Sequence, residues 1–180
     1  MIVVFTGNGK GKTTASVGAA VRAVGRGQRV LMVQFIKGPW KSGEDCIDVQ
    51  RTATAVSKDG KQGSFTLKKM GLGFVGILGD KLPFEDHARA AREALDFIRE
   101  QFSAYDMVIM DEVNVAVSLK LIAPDAVLDV LKGLPDEKIV LLTGRGAPQE
   151  FIDAADMVTE MKEIKHPYNS GNLAKINLDF

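Results

Sequence analysis

The stretch Thr6-Gly7-Asn8-Gly9-Lys10-Gly11-Lys12-Thr13-Thr14 concentrates more chemistry than any other part of the chain. An apolar run precedes it and a helical pattern follows, the context in which a glycine-rich loop binds phosphate. Glycines let the backbone turn its amides toward an anion, and the N-terminus of the following helix adds its positive end. Lys12 supplies a mobile cation, and the Thr13 hydroxyl is a ligand suited to Mg²⁺. The usual pattern puts a glycine five residues before the Gly11-Lys12 pair; here Thr6 stands in that place and the glycine is Gly7.

A metal beside such a loop needs a carboxylate, and Asp111-Glu112 close a later apolar run where phosphate-loop proteins place one. Arg145, in Thr143-Gly144-Arg145-Gly146, follows the next run and is within reach of a phosphate. No side chain reads as a nucleophile paired with a base. His87 and His166 are the only histidines, and neither stands in a metal-ligand spacing.

The elements that must position these groups are legible as an alternation. Residues 2–5, 30–36, 107–110 and 139–142 are apolar at consecutive positions, as strands covered on both faces are. Between them Val17, Ala20, Val21 and Val24 recur at helical spacing up to Gly25, and Ala91, Leu95, Ile98 and Phe102 do so after Pro83. Further helices are expected to start at Pro124, carrying Val127, Leu128 and Leu131, and at Pro148, carrying Phe151 and Ile152. The predicted fold is α/β, a doubly wound, mostly parallel sheet of the P-loop NTPase kind. Its ligands should gather outside the carboxyl ends of the strands, at residues 6–13, 34–41, 111–114 and 143–145. Residues 41–69 break the pattern: polar, with Lys58-Asp59-Gly60-Lys61 as a turn, they read as a hairpin or excursion.

With 180 residues the chain is expected to form one domain over residues 1–180. Its 23 Lys plus Arg balance 23 Asp plus Glu, so no bulk positive field exists to hold nucleic acid or an anionic membrane. One cysteine, Cys46, excludes an internal disulfide framework. The first residues lack the form of a signal or transit peptide, and no apolar run approaches the roughly 18 residues of a membrane span. Cytoplasmic localisation is expected.

The phosphate loop together with Val33-Gln34-Phe35-Ile36-Lys37-Gly38, Gly73-Phe74, Met110-Asp111-Glu112-Val113-Asn114, Thr143-Gly144-Arg145 and Val158-Thr159-Glu160-Met161 resembles the P-loop type of ATP:cob(I)alamin adenosyltransferase. The tail Lys165-His166-Pro167-Tyr168 is similar to that family's ending. The resemblance implies transfer of the 5′-deoxyadenosyl group of ATP to the Co(I) centre of a corrinoid, with release of triphosphate and with Mg²⁺ or a similar divalent ion. It implies that Gly7, Asn8, Gly9, Lys10, Gly11, Lys12, Thr13 and Thr14 bind the triphosphate and that Lys12, Thr13 and Glu112 serve catalysis. Thr13, Asp111 and Glu112 would organise the metal, and Arg145 would add a phosphate contact. A bare site suits this chemistry, because Co(I) is already a strong nucleophile and carries no proton for a base to remove.

The likeness further assigns the segment around Phe74 to the lower face of the corrin ring, where displacing the lower ligand makes Co(II) easier to reduce. Where the family often reads Gly-Phe-Thr-Trp, this chain has Gly73-Phe74-Val75-Gly76, so the second aromatic is missing; the only tryptophan, Trp40, lies in another loop. The family's frequent N-terminal extension over the active site is not expected, since residues 2–5 already form the first run. A homodimer and a flavoprotein electron donor also follow from the likeness. Two other readings stay open on the sequence: a P-loop kinase or NTPase acting at the γ-phosphate, and a non-catalytic, nucleotide-dependent corrinoid-binding module.

Overall fold

Successive residues of a strand point to opposite faces of its sheet, so a strand that is apolar throughout needs cover on both sides. In the computed structural model, which describes residues 1–38, 40–49, 62–77, 79–167 and 171, the chain meets that need. The strands are β1 (Ile2–Thr6), β2 (Arg29–Gln34), β3 (Ser64–Lys69), β4 (Met107–Asp111), β5 (Ile139–Thr143) and β6 (Met157–Glu160). They form one six-stranded sheet in the order β3-β2-β4-β5-β1-β6, and every pairing is parallel.

The helices are α1 (Lys12–Gly25), α2 (Phe84–Gln101), α3 (Val113–Ser118), α4 (Pro124–Leu131) and α5 (Gln149–Ala154). On one face α1 lays Ala20, Ala23 and Val24 against Val3, Val30, Met32, Ile109 and Leu141. The other helices cover the opposite face, where Leu95, Ile98, Val117, Val127 and Phe151 pack on Val4, Leu31, Val33, Met110 and Leu142. The doubly wound expectation is met, and the sheet is wholly parallel.

The expected helices form, with Pro124 opening α4 and Pro148 capping α5, whereas Phe102 falls just past α2 in a 3₁₀ turn at Phe102–Ala104. The stripe on α1 is narrower than its spacing suggested, because Val21 points outward at 46 % exposure while Ala23 takes the inward place. In α2, Glu85 and Asp86 occupy the first turn and Arg99 the last, matching the helix dipole. Among the strands and α-helices, α3 and β6 were not expected, and β3 was expected only as part of a hairpin. Helix α3 begins directly after Glu112, and the edge strands β3 and β6 are not apolar runs; all four residues of β6 are exposed. Of the stretch read as a hairpin, β3 joins the main sheet in parallel with β2, whereas the turn at residues 58–61 lies outside the described residues.

Candidate nucleotide and corrinoid site

Four strand ends converge at the carboxyl edge of the sheet. The phosphate loop leaves β1 and enters α1 through Gly11, whose left-handed φ of 107° ends the turn, and no side chain caps the helix. First-turn amides without a capping side chain are free to meet an anion. The loop is shaped from above by the chain that follows β6. Met161 donates its amide to the Thr6 carbonyl at 2.8 Å and accepts from the Gly9 amide at 2.6 Å. A Cβ on Gly7 or on Gly9 would stand 2.5 or 2.7 Å from the Met161 carbonyl oxygen, so both positions require glycine.

Lys12 is buried and spans the loop, donating from Nζ to the Gly7 and Gly9 carbonyls at 2.8 and 2.6 Å. An ammonium has three protons, and two are used here. Burial lowers the Lys12 pKa, against the pull of Glu112 and with the push of Arg145. Burial and Arg145 likewise lower Lys10. Three cations thus repel one another around the loop, and a polyanion placed among them would relieve that repulsion. The structure therefore brings Arg145 into the electrostatic field of the loop. Asn8 in the loop and Thr14 in α1 are exposed.

Asp111 is fully buried and heavily bonded. Its Oδ1 accepts from Thr13 Oγ1 at 2.9 Å and from Thr143 Oγ1 at 2.7 Å, and its Oδ2 accepts from Gln34 Nε2 at 3.1 Å. Lys37 Nζ lies 3.5 Å from the same Oδ2 and 2.6 Å from Glu44 Oε1. Burial pulls Lys37 down, but Asp111 and Glu44 outweigh it and hold its pKa above the ordinary lysine value. Burial would raise Glu44, yet hydrogen bonds from Lys37, its own backbone and Gln34 bring it to about 2. Glu112 sits at a left-handed φ of 63° between β4 and α3, with its amide donating to Thr143 Oγ1 at 3.1 Å. Burial, then the neighbouring Asp111 charge, raise the Glu112 pKa.

The donor set fits a hard divalent ion. The Thr13 proton is committed to Asp111, so the hydroxyl lone pairs remain for a cation. The crowded Asp111–Glu112 pair would be relieved by added positive charge. Among the described residues no group of three or more His, Cys, Asp or Glu forms a cage. An ion held here would keep several waters and take phosphate oxygens, the habit of Mg²⁺.

Phe74 stands apart from this cluster, in the loop after β3, and the loop after β2 brings a second aromatic to it. Because β2 and β3 are parallel neighbours, both loops leave the same sheet edge side by side. A Cβ on Gly38 would meet the Gly73 Cα at 2.7 Å, and Lys69 Nζ donates to the Trp40 carbonyl at 2.6 Å. The Trp40 and Phe74 ring centroids lie 5.6 Å apart, inclined by 36°. They help line a shallow cavity of about 200 Å³ with Leu72, Ile77, Asp80 and Lys81. Trp40 is 62 % exposed and Ile77 59 %, unusual for side chains of this kind. A larger groove of about 620 Å³ between α2 and α4 shares no residue with the site.

A family model described as ATP:corrinoid adenosyltransferase BtuR/CobO/CobP matches residues 1–180. The chain is 35 % identical to the corrinoid adenosyltransferase of Escherichia coli (strain K12), over 100 % of this chain and 85 % of that protein. It is 33 % identical to corrinoid adenosyltransferase CobA of Salmonella typhimurium, again over 100 % of this chain and 85 % of the relative. The corrinoid adenosyltransferase of a Sinorhizobium species is 36 % identical, over 100 % of this chain and 80 % of its own length.

The chain belongs to the ATP:corrinoid adenosyltransferase family.

Membership makes it a transferase whose substrates are ATP and a corrinoid, and it decides among the readings that the sequence left open. No described helix is long and apolar enough to cross a membrane. Sequence reasoning assigned no role to the side chains of Gln34, Lys37, Glu44 or Thr143, which surround Asp111. The available signal was a polar residue in or directly after an apolar run: Gln34 interrupts residues 30–36, and Thr143 follows residues 139–142. Glu44 gave no such signal. Met161 was noted only as part of a resemblance, and its carbonyl shapes the phosphate loop. Tyr168, at the end of the resembling tail, lies outside the described residues.

Proposed function

We propose that residues 7–13 grip the triphosphate of ATP while Trp40 and Phe74 present an apolar wall to the corrinoid, both at the carboxyl edge of one sheet. The reduced cobalt of the substrate attacks C5′ of ATP. A Co–C bond forms and the C5′–O5′ bond breaks. Cobalt gives up an electron pair, passing formally from Co(I) to Co(III), and the pair from the broken bond departs on triphosphate. No proton moves in this step, which agrees with a site lacking a nucleophile and base pair.

What remains for the protein is position and charge. Loop amides and the Lys12 ammonium neutralise the leaving group, with Lys10 and Arg145 adding field from the rim. Thr13, oriented by Asp111, and Glu112 would hold Mg²⁺, which supplies further positive charge to the triphosphate. Trp40 takes the part that the family's second aromatic would play at Gly76. The proximity of its ring to Phe74 supports that assignment. The family likeness also supports one domain over residues 1–180, a homodimer, a flavoprotein electron donor and a cytoplasmic setting.

The observation that carries the reading is the Thr13–Asp111–Gln34 chain of bonds, which ties the phosphate loop to the strand end whose loop bears Trp40. Incubating reduced cobalamin with MgATP and the protein, then identifying the phosphate product, tests it. Triphosphate with an alkylcobalt spectrum is expected. ADP with free phosphate, or no alkylcobalt product, would overturn it.

A further inference from the structure

Beyond the aromatic pair, the cavity has a wall made by the loop that joins β3 to α2, and one carboxylate organises that loop. Asp80 Oδ2 accepts from the Gly76 amide at 2.8 Å, and Oδ1 accepts from the Leu82 amide at 3.0 Å. Asp80 Oδ2 also lies 3.0 Å from His87 Nε2, and the Asp80 amide donates to the Ile77 carbonyl at 3.1 Å. Both side chains of the Asp80–His87 pair are nearly sealed from water, at 7 % and 2 % exposure. His87 is fixed in turn, being buried within α2. Backbone amides at Gly76 and Leu82 hold Asp80 below the usual aspartate range.

This bonding is out of keeping with the loop's surface. Ile77 and Leu82 stand about half exposed or more, as does Phe84 at the start of α2. A short glycine-containing loop that shows apolar side chains to water would ordinarily fold them inward or fluctuate. Here one carboxylate, that of Asp80, accepts from amides at Gly76 and Leu82 and meets His87 on α2.

We propose that Asp80 is a positioning residue for the corrinoid: with His87 as its anchor on α2, it holds residues 76–77 and 79–82 so that Ile77 and the Phe74 ring stay presented to a large apolar ring. The inference rests on the assignment of this cavity to the corrinoid. Asp80 touches no reacting atom; it acts through the loop it shapes. Its removal should weaken corrinoid binding and leave the phosphate loop, on the other side of β2 and β4, unaffected.

The test compares Asp80→Ala, Asp80→Asn and His87→Ala with the parent protein, by steady-state kinetics in each substrate and by Trp40 emission without ligand. Asp80→Ala should raise KM for cob(I)alamin roughly tenfold with KM for ATP changed by less than about twofold. His87→Ala, which spares the two backbone bonds, should give a smaller rise in the same direction. Asp80→Asn should fall between Asp80→Ala and the parent. Trp40, the only tryptophan, shares the cavity with Asp80 and should change its emission in Asp80→Ala. An unchanged corrinoid KM, an equal rise in both KM values, or an unchanged Trp40 emission would each overturn the proposal. If Asp80→Ala fails to fold, His87→Ala and Asp80→Asn carry the same test. A parent protein that makes no alkylcobalt product would refute the corrinoid assignment itself, and the emission readout would still decide whether Asp80 shapes this loop.

Discussion

Thr13 and Asp111, 98 residues apart in the chain, are joined by a hydrogen bond of 2.9 Å from Oγ1 to Oδ1. The carboxylate takes the proton, and the hydroxyl oxygen is thereby turned to offer its lone pairs. Thr13→Val keeps the shape of the side chain and removes both functions. It should raise the Mg²⁺ concentration needed for half-maximal activity by at least about tenfold. Magnesium titration of the initial rate checks this, and EDTA should abolish turnover in the parent protein.

Lys12 is expected to act on the leaving group. Lys12→Ala removes a preorganised cation from a partly dehydrated site and should lower kcat by a hundredfold or more, about 3 kcal/mol of transition-state stabilisation. Single-turnover measurement of alkylcobalt formation separates this from an effect on product release. A Lys12→Ala protein that retained its full rate would remove Lys12 from the mechanism.

Trp40 and Phe74 should matter for one substrate only. Trp40→Ala or Phe74→Ala is expected to raise KM for the corrinoid roughly tenfold, a loss of about 1.4 kcal/mol, with KM for ATP nearly unchanged. Binding of the coloured corrinoid beside Trp40 should also quench its emission. Titration with cob(II)alamin in the presence of MgATP reads both affinity and proximity.

Glu44 supplies a prediction about pH. Its pKa lies at about 2 in the folded chain, against 4.5 for an ordinary glutamate. A depressed folded value contributes stability that is fully present above the unfolded pKa and is lost as pH falls toward the folded one. Glu44→Gln should therefore cost on the order of 1 kcal/mol near pH 7, a figure reduced from the full shift because water screens a half-buried pair. The gap between the two proteins should narrow steadily below pH 4.5. Urea midpoints from pH 3 to pH 7 would reveal it, and a gap independent of pH would point to packing instead.

The phosphate loop and the acid behind it were legible because residue type and spacing alone determine them. Glycines, a lysine and a threonine between strand and helix admit few other uses, and Asp111 ends an unmistakably apolar run. Glu44 was not legible, because it reaches Gln34 and Lys37 only after the chain folds back through a short 3₁₀ turn at Gly43–Cys46. Helix α3 was hidden by composition. Its Val113, Val115 and Val117 are poor helix formers, and the helix persists because Val113, Ala116 and Val117 are buried against the sheet. The meeting of Trp40 with Phe74 was invisible for a topological reason: strand order, which periodicity does not reveal, makes β2 and β3 neighbours.

The backbone at Met161 lies across the glycines that cradle the anion. The seat for phosphate follows the first strand in the sequence, and its lintel follows the sixth. A chain cut before residue 157 would keep β1 to β5 and lose both backbone bonds that Met161 makes to Thr6 and Gly9. The shape of the phosphate seat thus depends on backbone contributed from beyond the sixth strand.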